Sequence, residues 1–395
     1  MNKGSIDCTG SYDFDLSEAE EARATALHRE NIVFDWLQQD IGGPRIFEYF
    51  PQPLRSELDA LIRELPDGFK SFFKVKFWPY QMAIEQRSNL IEEWYRKSGL
   101  TCGTHLVPVY DGTSRAAWAE EEANMSRAAR ELPWLRHVTT AAEIRRAKTE
   151  GVIARYGHWQ PVHPIPRDLN EVDDAYRRGL RSLMLTYNRM DNVGVGCTER
   201  VDAGLSRFGI EVMRRCESLG IIVDVSHCGP MTTLDACRSA RRPVNANHTC
   251  ARAVCDVARA KSDDELRAIA DTGGIVGVVT VPQFISREKM PTVDAVLDHF
   301  DHIAGLIGWR HVCIGTDWPY QAPPGILGKL LNAAFIEVGF RPEDLVDAND
   351  SVVGFEDYRD LPNLTRGMVK RGYTDEQIRG VLGDNALRVF QEICG

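Results

Sequence analysis

Eight short apolar runs, interleaved with spans of helical periodicity, constrain this chain more than any other feature. The runs fall at 32–34, 105–110, 152–156, 182–186, 221–225, 243–246, 275–281 and 312–315, and helical patterns occupy 113–131, 169–179, 204–220, 231–240, 263–273 and 292–308. Runs this continuous read as strands buried on both faces, and a helix between successive strands makes those strands parallel. The pattern predicts an α/β fold, a (β/α)8 TIM barrel. A doubly wound open sheet uses the same pieces, because periodicity does not determine closure.

At 395 residues the chain is long enough for two average domains, yet barrels of this length form one unit. We read 1–24 as an N-terminal extension and 25–395 as a single barrel domain. Ser17 and Glu20 have the spacing of a capping box for a helix ending near Arg29. A long aromatic-rich insertion follows the first strand, reaching about Gly99 and including Phe47, Phe50, Trp78 and Tyr80. It reads equally as a lid or site wall and as added core or a dimer surface. The 330–360 stretch reads as irregular, and helices at 361–370 and 374–395 finish the chain and close the barrel.

The formal charge of −10 argues against nucleic acid or an anionic membrane as partner. No leader-like apolar segment or membrane-length run is present, and the ten cysteines are scattered without a CxxC pair. These features predict a cytoplasmic protein with reduced thiols.

In a parallel barrel all strand C-termini open onto one face. The polar residues at those ends are Asp35, Asp111, His158 with Gln160, Tyr187 with Asn188, His227, His248 and Asp317. A single histidine is more often a hydrogen-bonded core residue than a ligand. His227 and His248 at adjacent strand ends, with Asp317 ending a later strand, point instead to a shared pocket and a divalent metal. His28, His105, His137, His299, His302 and His311 are given no role.

The blocks DVSH (224–227), NHTCARAV (247–254), Arg259 before DDELRAIADTGGIVGV, and CIGTDW (313–318) resemble the renal or membrane dipeptidase family, peptidase family M19, a branch of the metal-dependent amidohydrolase barrels. The LTYN and GCTE blocks look like its divergent cytosolic bacterial branch. The resemblance implies that His227 and His248 hold one of the family's two zinc ions, that Arg259 binds a substrate carboxylate, and that Asp317 contacts metal and attacking water. It also implies a homodimer. The chain departs from the family at the other ion: Leu37 and Gln39 stand where the first strand's His-x-Asp pair belongs, Gln160 where the bridging glutamate belongs, and Tyr187 where a histidine polarises the substrate.

What the resemblance then implies is a hydrolase acting on a small amide or other C–N bond next to a carboxylate. It would use one divalent ion, zinc by preference, on His227, His248 and Asp317, although no ion at all also stays open. Water activated by the ion is the nucleophile, Asp317 the base and Tyr187 the donor to developing charge, with Arg259, Asn188 and Gln160 on the substrate. A metal-independent lyase, isomerase or cyclase in the same pocket, and a non-catalytic barrel, are the competing readings.

Overall fold

The computed structural model describes residues 12–39, 44–65, 69–108, 123–124, 126–161, 165–317 and 326–395. Seven of the apolar runs become parallel strands, and a short strand that the apolar pattern did not mark, β2, joins them: β1 (Cys102–Pro108), β2 (Leu135–His137), β3 (Ile153–Gln160), β4 (Leu180–Met184), β5 (Ile222–Asp224), β6 (Val244–Thr249), β7 (Val276–Val278) and β8 (Val312–Ile314). The sheet runs β1-β3-β4-β5-β6-β7-β8, with β2 added beside the start of β3.

Closure comes from residues 33–37, which bond to both edges of that sheet. Phe34 bridges Cys102 in parallel, and Asp35 N donates to Cys102 O at 3.0 Å. On the other side Trp36 N donates to Ile314 O at 2.8 Å, and Asp317 N to Leu37 O at 2.9 Å. The 32–34 run is therefore the remaining stave, and the fold is a (β/α)8 barrel.

Alternation along each strand sorts side chains between two cores. Val223, Val225, Val244 and Val276 face the helices, whereas Ile222, Ile275, Cys313, Cys102 and Ala154 fill the barrel with Phe34, Trp36 and Tyr156. Phe390 of helix Asn385–Cys394 plugs the closed end, its ring centroid 5.2 Å from that of Tyr156. The interior leaves no room for side chains at Gly277 and Gly315, where a Cβ would come within 2.0 and 1.9 Å of Asn247 O.

The boundaries differ most from the sequence reading at β1, β3 and β6. β1 begins at Cys102. β3 continues to Gln160 and β6 to Thr249, because polar residues such as His158, Gln160 and His248 are buried at these strand ends, so apolarity underestimates the strands. A further correction concerns 330–360, read as irregular: Ile326–Glu337 is a helix packed on helix Phe69–Ile84 of the insertion. Its buried residues Leu327, Leu330, Leu331, Ala334 and Phe335 have the helical period, a signal overlooked beside the Pro-rich segment before it. Asp111 and that segment, 319–325, lie outside the described residues. Every described cysteine is a free thiol, and no helix among the described residues is long and apolar enough to cross a membrane.

Asp35 clamps the closing stave. Fully buried, its carboxyl accepts from Thr316 N at 2.9 Å, Thr316 Oγ1 at 2.5 Å, Leu37 N at 3.3 Å and the Tyr358 hydroxyl. Burial pushes its pKa up from 3.8 to about 6, against the pull of those donors. Asp35→Ala strands four buried donors and is expected to cost about 3 kcal/mol or more in denaturant unfolding. Asp35→Asn costs less, because both hydroxyls can turn to accept. Between pH 3.8 and about 6 the folded state holds more protons than the unfolded chain. The wild-type side chain's contribution is thus greatest below pH 4 and falls as pH rises through about 6. Measured against Asp35→Asn, wild-type stability should decline over that interval.

Candidate active site

The C-terminal ends of β5 and β6 are tied together by one buried carboxylate. Asp224 Oδ1 accepts from Ser226 N at 2.9 Å, Ser226 Oγ at 2.5 Å and Asn247 N at 2.9 Å, while Ser226 Oγ accepts from His248 N at 3.0 Å. Held this way, His227 and His248 meet with their Nε2 atoms 3.0 Å apart, both side chains almost wholly buried. Tyr187, at the end of β4, stacks on His227 with ring centroids 3.9 Å apart and planes at 19°.

The protonation of His227 follows from its other nitrogen. Nδ1 lies 2.7 Å from Asn188 Oδ1, and the Asn188 amide is turned that way because its Nδ2 donates to Val338 O at 3.2 Å. An amide oxygen only accepts, so Nδ1 carries the hydrogen and Nε2 presents a lone pair toward His248. Burial, reinforced by the Arg259 charge, holds both imidazoles well below the ordinary histidine pKa, which keeps them neutral as ligands must be. Asn188, expected on the substrate, instead orients a histidine.

Asp317 sits where β8 ends, in the left-handed region at φ 60°, an uncommon conformation that marks functional turns. Its Oδ1 accepts from Gln39 Nε2 at 2.8 Å. Burial pushes its carboxyl up to about 7, opposed by the Gln39 hydrogen bond and by the charges of Arg259 and Lys76. Arg259 is 2% exposed and carries both terminal nitrogens on main-chain carbonyls, one on His248 O at 3.0 Å and one on Ser226 O. The guanidinium fork expected to grip substrate is thus held by the loops bearing the two histidines. Gln160 ends β3, buried, in register with Pro108.

His158 lies deeper in the barrel, its Nδ1 2.9 Å from Ser182 Oγ and its Nε2 3.7 Å from Asp224 Oδ2. Sequence reasoning missed Asp224, which it took only as strand, and Phe340, whose ring lies 6.4 Å from those of Tyr187 and His227. It also missed Lys76, buried in helix Phe69–Ile84, where a lysine amid Val75, Phe77 and Trp78 was the available signal.

At 3.0 Å the two Nε2 atoms are within hydrogen-bonding distance, and a separation of only a few tenths of an ångström more, to about 3.3 Å, would let both hold one divalent ion through tetrahedral zinc–nitrogen bonds of about 2.0–2.1 Å. A second ion is not matched by the residues present. The Leu37 side chain has no ligand atom, and Gln39, whose Nε2 donates to Asp317, offers only a neutral amide oxygen where an anionic carboxylate would be needed. Among the described residues no group of three or more His, Cys, Asp or Glu side chains is placed to share an ion.

A closed α/β barrel with a histidine pair at adjacent strand ends defines a protein of the metal-dependent amidohydrolase type. Within that class the chain belongs to the membrane dipeptidase family, peptidase family M19, whose model matches residues 71–329 and 343–394. It is by family a dipeptidase-like hydrolase. Among solved structures it is similar to an amidohydrolase from Pseudomonas aeruginosa, with 25% identity, a TM-score of 0.73, and coverage of 94% of this chain and 99% of that one. The probable dipeptidase PvdM from Pseudomonas aeruginosa shares the fold at 18% identity and a TM-score of 0.71, over 96% of this chain and 99% of its own. A metallo peptidase from Rhodobacter sphaeroides, liganded with a phosphinate mimic of the dipeptide L-Ala-D-Ala, shares it at 20% identity and a TM-score of 0.66, over 92% and 99% respectively.

Asn188→Ala frees His227 to rotate and to change tautomer, so zinc affinity measured by calorimetric titration should fall about 10–100-fold. His227→Ala and His248→Ala should each abolish that binding while far-UV circular dichroism stays unchanged.

Proposed function

We propose that this protein hydrolyses a small amide or related C–N bond next to a carboxylate, with one divalent ion held by His227 and His248. The observation that carries the reading is the 3.0 Å approach of two neutral, buried imidazoles beside the buried Arg259 guanidinium. Family membership supports the hydrolytic class. The Rhodobacter sphaeroides relative was solved with a dipeptide mimic, which makes dipeptides the first substrates to try.

The ion, when bound, would supply Lewis-acid polarisation of the scissile carbonyl and of water. The chain's own residues do the rest. Asp317, with Oδ1 fixed by Gln39 and its carboxyl raised to about 7, holds Oδ2 ready to take a proton from water and return it to the leaving nitrogen. Burial raises the Tyr187 hydroxyl far above its ordinary value, so it stays protonated and can donate to charge developing on the carbonyl oxygen. Arg259, immobilised on Ser226 and His248, presents a fixed positive charge to the substrate carboxylate.

Gln39 and Lys76 account for the departures from a two-ion site. A neutral amide and a buried ammonium now act on Asp317, where the family pattern has an acidic ligand. One cation fewer needs fewer acids.

The test is turnover of a dipeptide panel by zinc-loaded protein. Asp317→Asn is expected to lower kcat by about 10²–10⁴-fold with zinc affinity retained within a few-fold, and chelation should abolish turnover. Full activity in chelator, or in Asp317→Asn, sinks the hydrolytic assignment.

A further inference from the structure

Arg259, which donates to His248 O, also lines a cavity of ≈ 410 Å³, a volume suited to an amino-acid-sized group and its surroundings. Besides Arg341, three arginines line it: Arg252 and Arg259 from the loop after β6, and Arg287 just beyond the short helix Pro282–Ile285 that follows β7. Each hydrogen-bonds only main-chain oxygens. Arg252 donates to Ala260 O at 2.8 Å, Arg259 to Ser226 O and His248 O, and Arg287 to Asp256 O. The Nε atoms of Arg252 and Arg259 are buried with no hydrogen-bond partner.

Acidic groups line the cavity too, but they are engaged elsewhere. Asp344 and Glu343 neutralise Arg341, at 2.8 and 3.4 Å, and Glu199 accepts from Met190 N at 3.0 Å. The Asp256 side chain is 87% exposed and comes no nearer than 3.9 Å to Arg252. Among the described residues no carboxylate lies within hydrogen-bonding distance of the three arginines. Of these three arginines only Arg252 has a carboxylate within ion-pair range, the long and exposed pair with Asp256, so the space favours an anion, and Arg is suited to carboxylates by its fork geometry.

One carboxylate is already required beside Arg259 by the proposed reaction, and this inference rests on that reading. We infer that Arg252 and Arg287 form a second anion subsite, so that the preferred substrate is a dicarboxylate: its C-terminal residue carries an acidic side chain that reaches past Arg259 to these two arginines. Arg287 sets this preference as a substrate-binding residue and takes no part in bond cleavage.

The experiment is calorimetric titration of the zinc-loaded protein with glutarate and with butyrate, alongside kinetics on Ala-Asp and Ala-Asn. Glutarate is expected to bind about tenfold or more tightly than butyrate, a gap that Arg287→Ala closes and Arg287→Glu reverses. Arg287 is exposed, so its replacement leaves the fold intact. In the kinetics the Ala-Asp preference should lie in KM and disappear in Arg287→Ala. Equal binding of glutarate and butyrate, or a preference untouched in Arg287→Ala, overturns the second subsite. Because the titration needs no turnover, failure to hydrolyse either dipeptide counts against the proposed reaction and leaves the subsite to be decided by binding alone.

Discussion

The arrangement of the site depends on a single, wholly buried carboxylate. Asp224 gathers Ser226 and the Asn247 amide around one oxygen, and Ser226 in turn holds the His248 amide. Two strand ends that would otherwise be joined only by a ladder are fixed to within a hydrogen bond of each other, and the imidazoles following them have one way to point. A buried carboxylate surrounded by donors is costly to disturb, which makes it a rigid foundation. The same device recurs across the barrel, where Asp35 binds Thr316 and Tyr358 and fixes the turn that delivers Asp317.

Rigidity at these two points lets the surrounding chemistry change. With the histidine pair and the aspartate held independently, the frame does not need ligands at Leu37 and Gln39, and Gln39 is hydrogen-bonded to Asp317. The aromatic rings of Tyr187 and Phe340 close over His227, and Phe284 continues that wall to Arg259, whose guanidinium carbon lies 5.6 Å from its ring centroid. Water has little access to such a wall, so charges inside act at longer range than they would in solvent. The Arg259 charge consequently bears on His227, His248, Tyr187 and Asp317 together.

The structure also separates two tasks that the sequence merges. Residues at strand ends look alike in sequence, each a polar group after an apolar run. In three dimensions the Asn188 amide is held between Val338 O, 150 positions later, and His227 Nδ1, where it sets the tautomer of that histidine. His299, given no role from the sequence, receives Ala251 N at 3.0 Å and lies 3.1 Å from Ile285 O, bracing the loop that carries the arginines. Both residues act by positioning others.

Local pattern alone was enough for the staves, for most helices and for the placing of His227, His248 and Asp317 at strand ends, because apolar period and cap chemistry are properties of neighbouring residues. The absence of donors at Leu37 and the neutral amides at Gln39 and Gln160 were equally legible, since they are matters of residue type. Closure by residues 33–37, the 3.0 Å meeting of the imidazoles, the occupation of the Arg259 fork by Ser226 O and His248 O, and the charge of Lys76 near Asp317 were decided by the tertiary structure. These depend on groups brought together by closing the barrel, across separations at which no periodicity in the chain specifies a partner.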